Sequence, residues 1–523
     1  MEQKEENVSA MALSLHPIVS CFIRCLIQRW NARLVRRGGM GVVALGLLTA
    51  TAPARAQALT EDRVLLLYNS ANADSAAVRD LYLAVHPGVL EFDLNDPALS
   101  PADPNDLGNI TRAEYLSEIR APLLAFLSTT LPTGEPLAEH VVAIATTRGL
   151  PARIMGLHEF QLWSGYSSLE SELSLVQQDL TGAGPTPFDT TFEGAIDNPY
   201  HFLVGQSILS FDRTAITQQK TFQLIGASAW QATDLTPGDI YLVCRLDSAP
   251  SATATALENI DALLQRSQSL AFDPNGVQAL LDEYAPEFDQ LDDDGGLFFP
   301  TNDDYDDTTS VLTSAGVETL HDETFNFVTG SELPDQTKPL IVLGTYGENH
   351  DINGWGANPP GPGTYISTYT NLHPACVFVS YESFNGNSII NGTPRSNQAQ
   401  AMDFIAQGGS FTIAHVAEPF SFTVSDLEML SQNLLVGSMT FAEAAYSAIP
   451  ALSWQSTPIG DPLATVAFGS PSLPADLNGD GVVNGADLAT LLTQWGTNGP
   501  ADLNSDGVVN GADLATLLTN WTL

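Results

Sequence analysis

Apolar residues form short, uninterrupted runs along the chain, and many of these runs are followed by a stretch with helical periodicity. A run that is apolar throughout fits a strand that is buried on both faces. Strands are predicted at 63–68, 140–146, 239–246, 296–299, 339–345 and 375–381. Helices are predicted from Asp74 to about His86, around 169–180, from Thr253 to Ser267 and around 305–315. This alternation predicts an α/β domain with a parallel sheet between two helical layers.

Residues 476–523 follow a different pattern, because they contain an internal repeat. Residues 476–495 (DLNGDGVVNGADLATLLTQW) and 502–521 (DLNSDGVVNGADLATLLTNW) are identical at 18 of 20 positions, with a period of 26 residues. Each copy ends in an apolar stripe at positions i, i+3, i+4 and i+7, formed by Leu488, Leu491, Leu492 and Trp495 and by Leu514, Leu517, Leu518 and Trp521. We expect two short amphipathic helices that pack these stripes against each other.

Each copy begins with a twelve-residue loop that places oxygen atoms at alternate positions. Calcium takes six to eight oxygen ligands, and a tightly wrapped loop can supply most of them from one segment. The spacing predicts two calcium ions, with the ligands Asp476, Asn478, Asp480, Val482 (backbone carbonyl), Asn484 and Asp487 in the first loop and Asp502, Asn504, Asp506, Val508 (backbone carbonyl), Asn510 and Asp513 in the second. The alternative is a pair of metal-free Asx turns.

A loop with an exit helix, duplicated and with Asp at the twelfth position, resembles the dockerin type I domain over residues 475–523. This resemblance implies a small all-α module that folds around calcium and docks into a cohesin-like domain on an extracellular scaffold. The pair after the ninth ligand contributes to partner recognition in that family. Here it is Gly485-Ala486 and Gly511-Ala512, which are smaller than the hydroxyl residues often found there. A cell-surface partner or self-assembly is therefore the competing interpretation.

Charge and the amino-terminal residues indicate export. The chain has 61 acidic and 19 basic residues and a net charge of −42, which excludes a simple nucleic-acid binder. Arg36-Arg37, an apolar run at 40–50 and the small-x-small motif at 56–58 predict a signal peptide and leader over 1–58, with cleavage after Ala58. No other apolar stretch reaches 18 residues, so no transmembrane anchor is expected. The mature protein is expected to be secreted, extracellular or associated with the cell surface.

Residues 59–470 are expected to form the α/β domain, and 471–475 a short linker to the dockerin-like module. The strings RVLLLYNSANADS, ATTRGLPARI, SLESELSLV, YLVCRLD and FAEAAYSAIPALSWQSTPIGDPLA are similar to a secreted family found in bacteria with the exosortase sorting system. The likeness spans about 62–466. It implies a carboxy-terminal half with the caspase-like fold of gingipain-type cysteine peptidases, although no activity is established for the family.

Peptidase chemistry on that fold would need a His at the end of one strand and a Cys at the carboxyl end of the next. His350 follows the strand predicted at 339–345. Cys376 is expected at the start of its own strand, the wrong end for a nucleophile, whereas Ser380 and Ser383 occupy the proper end. These two serines and His350 are the candidate catalytic residues. Cys244 and Cys376 otherwise fit buried free thiols, with one disulfide as the alternative.

Two functional hypotheses follow from the sequence. The first is a non-catalytic extracellular component that the calcium-binding module attaches to a scaffold. The second is a secreted hydrolase delivered by the same module, either a peptidase with an altered nucleophile or a polysaccharide-degrading glycosyl hydrolase.

Overall fold

A computed structural model describes most of the chain beyond residue 58. The described residues are 59–99, 109–155, 166–177, 196–198, 200–201, 240–283, 305–324, 327–346, 365–387, 389, 400–419, 423–469, 475, 477, 483–504 and 506–521. The leader, the strand predicted at 296–299 and His350 lie outside these residues.

Ten strands form one sheet, which is the centre of the main domain. In chain order they are β1 (Val64–Tyr68), β2 (Leu90–Asp93), β3 (Ala143–Thr147), β4 (Leu242–Leu246), β5 (Gln278–Asp282), β6 (Glu318–Asp322), β7 (Leu340–Thr345), β8 (Leu372–Ser380), β9 (Phe411–His415) and β10 (Ser456–Ile459). Across the sheet the order is β6-β5-β7-β8-β9-β10-β4-β3-β1-β2. The predicted α/β domain with a large central sheet is therefore present, and most of the strands of this sheet are parallel.

The sheet is mixed at one position, and this corrects the prediction of a parallel sheet. β10 pairs antiparallel with β9, through the register Thr412 to Ile459 and His415 to Ser456. On its other side β10 runs parallel to β4, with Ile459 beside Arg245. The remaining neighbours are all parallel. The strands β5 to β9 therefore run opposite to β1 to β4, and their carboxyl ends meet at the opposite edge of the sheet.

Apolar cores cover both faces of the sheet. In β1, Val64 and Leu66 belong to one core while Leu65 and Leu67 belong to another, because successive side chains of a strand point to opposite faces. All four are buried, which explains why the strand reads as a continuous apolar run. Cys244 and Cys376, the two cysteines among the described residues, are buried and free, in agreement with the thiol interpretation.

Helices and short strands surround the sheet. The longer helices of the main domain are α1 (Ala73–Val85), α2 (Ala121–Leu127), α3 (Leu169–Ser174), α4 (Ala256–Ser267), α5 (Tyr305–Ser314), α6 (Ala401–Ala406) and α7 (Phe441–Ala448). Shorter α-helical segments are Arg112–Glu114, Leu137–His140 and Leu427–Leu430, and π-helical turns span Tyr115–Arg120 and Ser431–Val436. The 3₁₀ turns are Glu61–Arg63, Pro97–Leu99, Pro274–Gly276, Gly330–Glu332 and Ile366–Thr368. Short strands outside the large sheet are Asn109–Thr111, Arg153–Met155, Tyr166–Ser168, Ile196–Asp197, Leu270–Phe272, Ala451–Leu452 and Val466–Phe468.

The carboxy-terminal repeat has two helices, α8 (Gly485–Thr493) and α9 (Gly511–Thr519), and a small core of its own. Its buried residues come in pairs 26 positions apart: Ala475 with Ala501, Val483 with Val509, and Leu491 with Leu517. The backbone joins the two copies, since Gly496 N–H donates to the carbonyl of Val509 and Val509 N–H donates to that of Thr497, both at 2.8 Å. None of the helices in the described part of the chain could span a bilayer.

Candidate functional site

The second acidic loop is folded around its own oxygen atoms. Asp502 accepts hydrogen bonds from the backbone N–H groups of Asp506 (3.1 Å) and Gly507 (2.7 Å). Asp506 accepts from the side-chain amides of Asn504 (3.0 Å) and Asn510 (3.2 Å). These contacts bring the side chains of alternate loop positions together, as the spacing of the sequence predicts.

The loop is joined to its exit helix by Asp513. One carboxylate oxygen of Asp513 accepts from the N–H groups of Leu503 (2.8 Å) and Asn504 (3.1 Å), and the other accepts from that of Asn510 (2.7 Å). Asn510 caps α9, so the twelfth loop residue also completes a capping box at the start of the helix. The backbone hydrogen bond from Asn510 is the main cause that lowers the pKa of Asp513, which therefore remains ionised.

Gly507 stands at the sixth position of the second loop with φ of +95°. This left-handed region is open to glycine, whereas a residue with a Cβ is strained there. The sixth position is where a calcium-binding loop makes its sharp turn. The positive φ therefore explains why the calcium-loop motif has a glycine at this position.

The donor set of this loop fits a hard divalent cation. Asp502, Asp506 and Asp513 supply carboxylates, and the side-chain hydrogen bond from Asn504 is the main cause that keeps the pKa of Asp506 low. Residues 476–523 contain six Asp and no Lys, Arg, His or Glu, so no side chain of this segment offers a positive charge. Two calcium ions would change its side-chain charge from −6 to −6 + 4 = −2.

The first loop is described only near its helix. Asn484 caps α8, and Asp487 accepts from the N–H groups of Asn484 and Leu477, both at 2.8 Å, as Asp513 does in the second copy. The predicted ligands Asp476, Asn478, Asp480 and Val482 lie outside the described residues.

The apolar stripes predicted at the two repeats meet through their inner residues, while their outer residues stay exposed. Leu491 and Leu517 are buried in the shared core, and Leu488 and Leu514 are packed partly against it. The outer members remain exposed by 54% for Leu492, 47% for Trp495, 53% for Leu518 and 37% for Trp521. We call these four residues the apolar face of the repeat.

In the main domain, polar residues collect where β5 to β9 end. We call this line of residues, from Asp282, Asp322 and Thr345 to Ser380 and His415, the carboxyl edge. The strand register places Asp282 beside both Asp322 and Thr345, and Thr345 beside Ser380. Sites in sheets of parallel strands lie at this end of the strands. The carboxyl edge is therefore the candidate functional region of the main domain.

Ser380 ends β8 as predicted, but its hydroxyl is engaged. It is fully buried and donates to Oε2 of Glu382 at 2.5 Å. Ser383 lies in the following turn and is half-buried. Cys376 was expected near the start of its strand and is the fifth of nine residues in β8, because β8 begins at Leu372. Its thiol is buried, and burial raises its pKa well above the ordinary value, so it does not form a reactive thiolate.

His415 ends the neighbouring strand β9. Its Nδ1 lies 3.0 Å from the carbonyl oxygen of Glu382 and donates to it, so the lone pair of the imidazole is on Nε2. Nε2 is buried and makes no hydrogen bond within the described residues. Burial lowers the pKa of His415 to about 4, and the ring is therefore neutral at neutral pH.

Asp282 ends β5 and is also fully buried. Its Oδ2 accepts from the hydroxyl of Tyr365 (2.8 Å) and from the backbone N–H of Val328 (3.1 Å). Burial raises the pKa of Asp282 well above its usual range, although both hydrogen bonds oppose this shift. A carboxyl group in such surroundings favours its protonated form.

No known family model matches the chain, and neither does any curated protein. Two solved structures are similar to it. One is the crystal structure of the Arg-specific cysteine proteinase gingipain R, with 9% identity, a TM-score of 0.41 and coverage of 78% of this chain and 79% of that one. The other is described as the structure of a protease, with 7% identity, a TM-score of 0.36 and the same coverage. Similarity at this level does not bear on the activity of this chain.

Sequence reasoning missed Asp282 and His415 as members of the carboxyl edge, and Glu382 as the partner of Ser380 and His415. Asp282 and His415 end the short buried strands β5 and β9, which were not predicted because their apolar runs are brief, and Glu382 follows the nine-residue strand β8. In the sequence, these positions could have been found as an acidic residue or a histidine directly after a short stretch rich in apolar residues, as in QALLDE and FTIAH. The pairing of these ends depends on the sheet order, which the sequence pattern does not contain.

Proposed function

We propose that residues 476–523 bind two calcium ions and attach the α/β domain to a cohesin-like or cell-surface protein outside the cell. The main domain would then be a non-catalytic component that the module displays on an extracellular scaffold. The observation that carries this proposal is the second loop, in which Asp502, Asp506 and Asp513 converge in a segment with no basic side chain.

Electrostatics supports a cation in this place. Carboxylates that are held a few ångströms apart repel one another, and within the loop only amides and backbone N–H groups offset this repulsion. A divalent ion would remove the repulsion and would be bound only by the folded loop. Its binding would therefore stabilise the folded module.

The apolar face of the repeat supports a protein partner. We infer that these four exposed side chains form one apolar patch, and such patches mark interaction sites on proteins. Tryptophan is also enriched among the residues that dominate binding at protein interfaces. The face contains one Leu-Trp pair from each copy of the repeat, so that both copies can contribute to docking.

The hydrolase alternative has less support. Ser380 is buried and bonded to Glu382, and Cys376 is buried within its strand. His350 lies outside the described residues. A buried nucleophile whose proton is held by a carboxylate is not open to a polymeric substrate.

Calorimetric titration of the mature chain with calcium tests the first half of the proposal. We expect two ions per chain, and one ion for the Asp502→Ala/Asp506→Ala variant. Asp62→Ala changes an exposed carboxylate of the main domain and serves as the control, with two ions retained. A wild-type chain that binds no calcium would overturn the proposal.

Capture from the cell envelope tests the second half. Wild-type chain should retain a protein partner with calcium and lose it with EDTA. The Trp495→Ala/Trp521→Ala variant should bind two calcium ions as before and fail to retain the partner. Equal capture by this variant would show that the apolar face is not the docking surface.

A further inference from the structure

Three side chains with metal-binding atoms converge at the outer end of the carboxyl edge. Glu283 directly follows β5, His321 lies in the edge strand β6, and Glu323 follows that strand. One ligand atom from each of them lies within 4.8 Å of the other two. The backbone fixes this arrangement, since Glu283 N–H donates to the carbonyl of Asp322 at 2.8 Å.

We propose that Glu283, His321 and Glu323 bind one divalent transition-metal ion, with zinc as the reference ion. Nε2 of His321 lies 3.1 Å from Oε1 of Glu283. Two ligands that each lie about 2.0–2.2 Å from a shared ion are separated by about 3.0–3.5 Å, so this pair needs little rearrangement. An imidazole nitrogen with carboxylate oxygens suits zinc and its neighbours, whereas calcium takes oxygen ligands.

A fourth residue orients the imidazole. Oδ1 of Asp306, in the first turn of α5, lies 3.5 Å from Nδ1 of His321. A carboxylate on that side favours the tautomer with the proton on Nδ1, which leaves the Nε2 lone pair directed at Glu283. The ring of Tyr305 packs against the imidazole edge-on, with the centroids 6.4 Å apart.

The position of the cluster permits exchange with solvent. β6 is the outermost strand of the sheet. Glu283 is buried, His321 is partly buried and Glu323 is exposed. An ion could therefore enter from the side of Glu323, and water would complete its coordination. The alternative is an ion pair between a protonated His321 and Glu283 alone. This pair would also explain the 3.1 Å contact, but Glu323 would not take part in it.

Zinc titration of the full mature chain without an affinity tag, at saturating calcium, separates these explanations. We expect one zinc ion per chain for the wild type. His321→Gln should weaken zinc binding by at least tenfold, and the exposed Glu323→Gln, which leaves the core untouched, by about tenfold. His373→Gln is the matched control, because it removes a partly buried imidazole at the start of β8.

Cobalt provides a second readout, because its visible absorption depends on the coordination geometry of the bound ion, and the spectrum of the wild-type site should disappear in His321→Gln. Absence of zinc binding by the wild type, or equal zinc affinity in wild type and His321→Gln, would overturn the proposal. The result is independent of the calcium proposal. Calcium binding should be unchanged in His321→Gln, and zinc binding should persist in Asp502→Ala/Asp506→Ala.

Discussion

The hydroxyl of Ser380 donates a 2.5 Å hydrogen bond to Oε2 of Glu382, and both residues are buried at the carboxyl end of β8. Ser380→Ala removes this donor from a buried carboxylate. We expect it to lower the free energy of unfolding of the main domain by about 1–3 kcal/mol, as measured by denaturant titration. Ser383→Ala, in the next turn, should change that free energy by less than about 0.5 kcal/mol.

Chemical labelling distinguishes a structural role of Ser380 from a catalytic one. A serine-directed covalent probe such as a fluorophosphonate should not label the chain at Ser380, because the hydroxyl is buried and engaged. Specific labelling of Ser380, together with unchanged stability of Ser380→Ala, would contradict the structural role and favour the hydrolase hypothesis.

Chelation of calcium should unfold the carboxy-terminal repeat and leave the main domain intact. The repeat has a small core of its own, while both faces of the large sheet are covered by separate cores. Hydrogen exchange on the full chain with and without EDTA measures both parts. Peptides from α8 and α9 should exchange faster in EDTA, and peptides from β1 and β3 should be unchanged. Equal protection of α8 and α9 in both conditions would contradict this prediction.

The stability of the main domain should decrease as the pH rises from about 5 to 8. Burial raises the pKa of Glu172 from 4.5 to about 7, although hydrogen bonds from Ser167 and Ser453 oppose the shift. The folded state therefore holds a proton that the unfolded state releases. Its stabilising contribution, at most about 3 kcal/mol, is complete below the unfolded pKa and is lost as the pH rises through 7.

Denaturant titration across this pH range tests the assignment to Glu172. Glu172→Gln keeps an acceptor for both hydroxyls and removes the titration, so the pH dependence should become flatter. Glu139→Gln changes an exposed carboxylate and should retain the slope of the wild type. An identical slope in wild type and Glu172→Gln would assign the dependence to other groups.

A buried arginine of β4 joins two buried acidic residues. Arg245 is fully buried, and its guanidinium lies 3.0 Å from Glu170 and 3.1 Å from Asp247. Arg245→Ala leaves the buried carboxylate of Glu170 without its cation, whereas Asp247 keeps its pair with Arg148 at 2.9 Å, and we expect a loss of about 3–5 kcal/mol of unfolding free energy. Arg79→Ala breaks the partly exposed pair with Glu91 and should cost less than about 1 kcal/mol. Equal losses in the two variants would contradict this expectation.

Local signals predicted the parts of the fold that neighbouring residues determine. The pattern gives the ends of β1 and α1 to within about one residue and the start of α4 to within three, because a buried run or an amphipathic stripe is visible in sequence. The cap of α4 is one example, with Thr255 and Glu258 forming a capping box. Among the candidate sites, the predicted ligands from Asp502 to Asp513 likewise lie within one continuous segment, so their spacing is visible in the sequence.

Relationships between distant segments could not be predicted in this way. Glu283 and His321 are brought together only because β5 pairs with β6, and β6 has the mixed composition of an edge strand (ETLHD). The short strand β10 contains a proline and gives no apolar run, yet it joins β9 to β4. The sequence pattern therefore did not predict that β5 to β9 run opposite to β1 to β4.

The place of β10 has a consequence for biogenesis. This strand is translated after every other member of the large sheet, and it fills the gap between two groups of strands that are complete before it. Until residues 456–459 emerge, β4 and β9 each present an unpaired edge to other chains. A chain truncated upstream of Ser456 would keep both of these edges unpaired, and we expect it to aggregate more readily than the full chain.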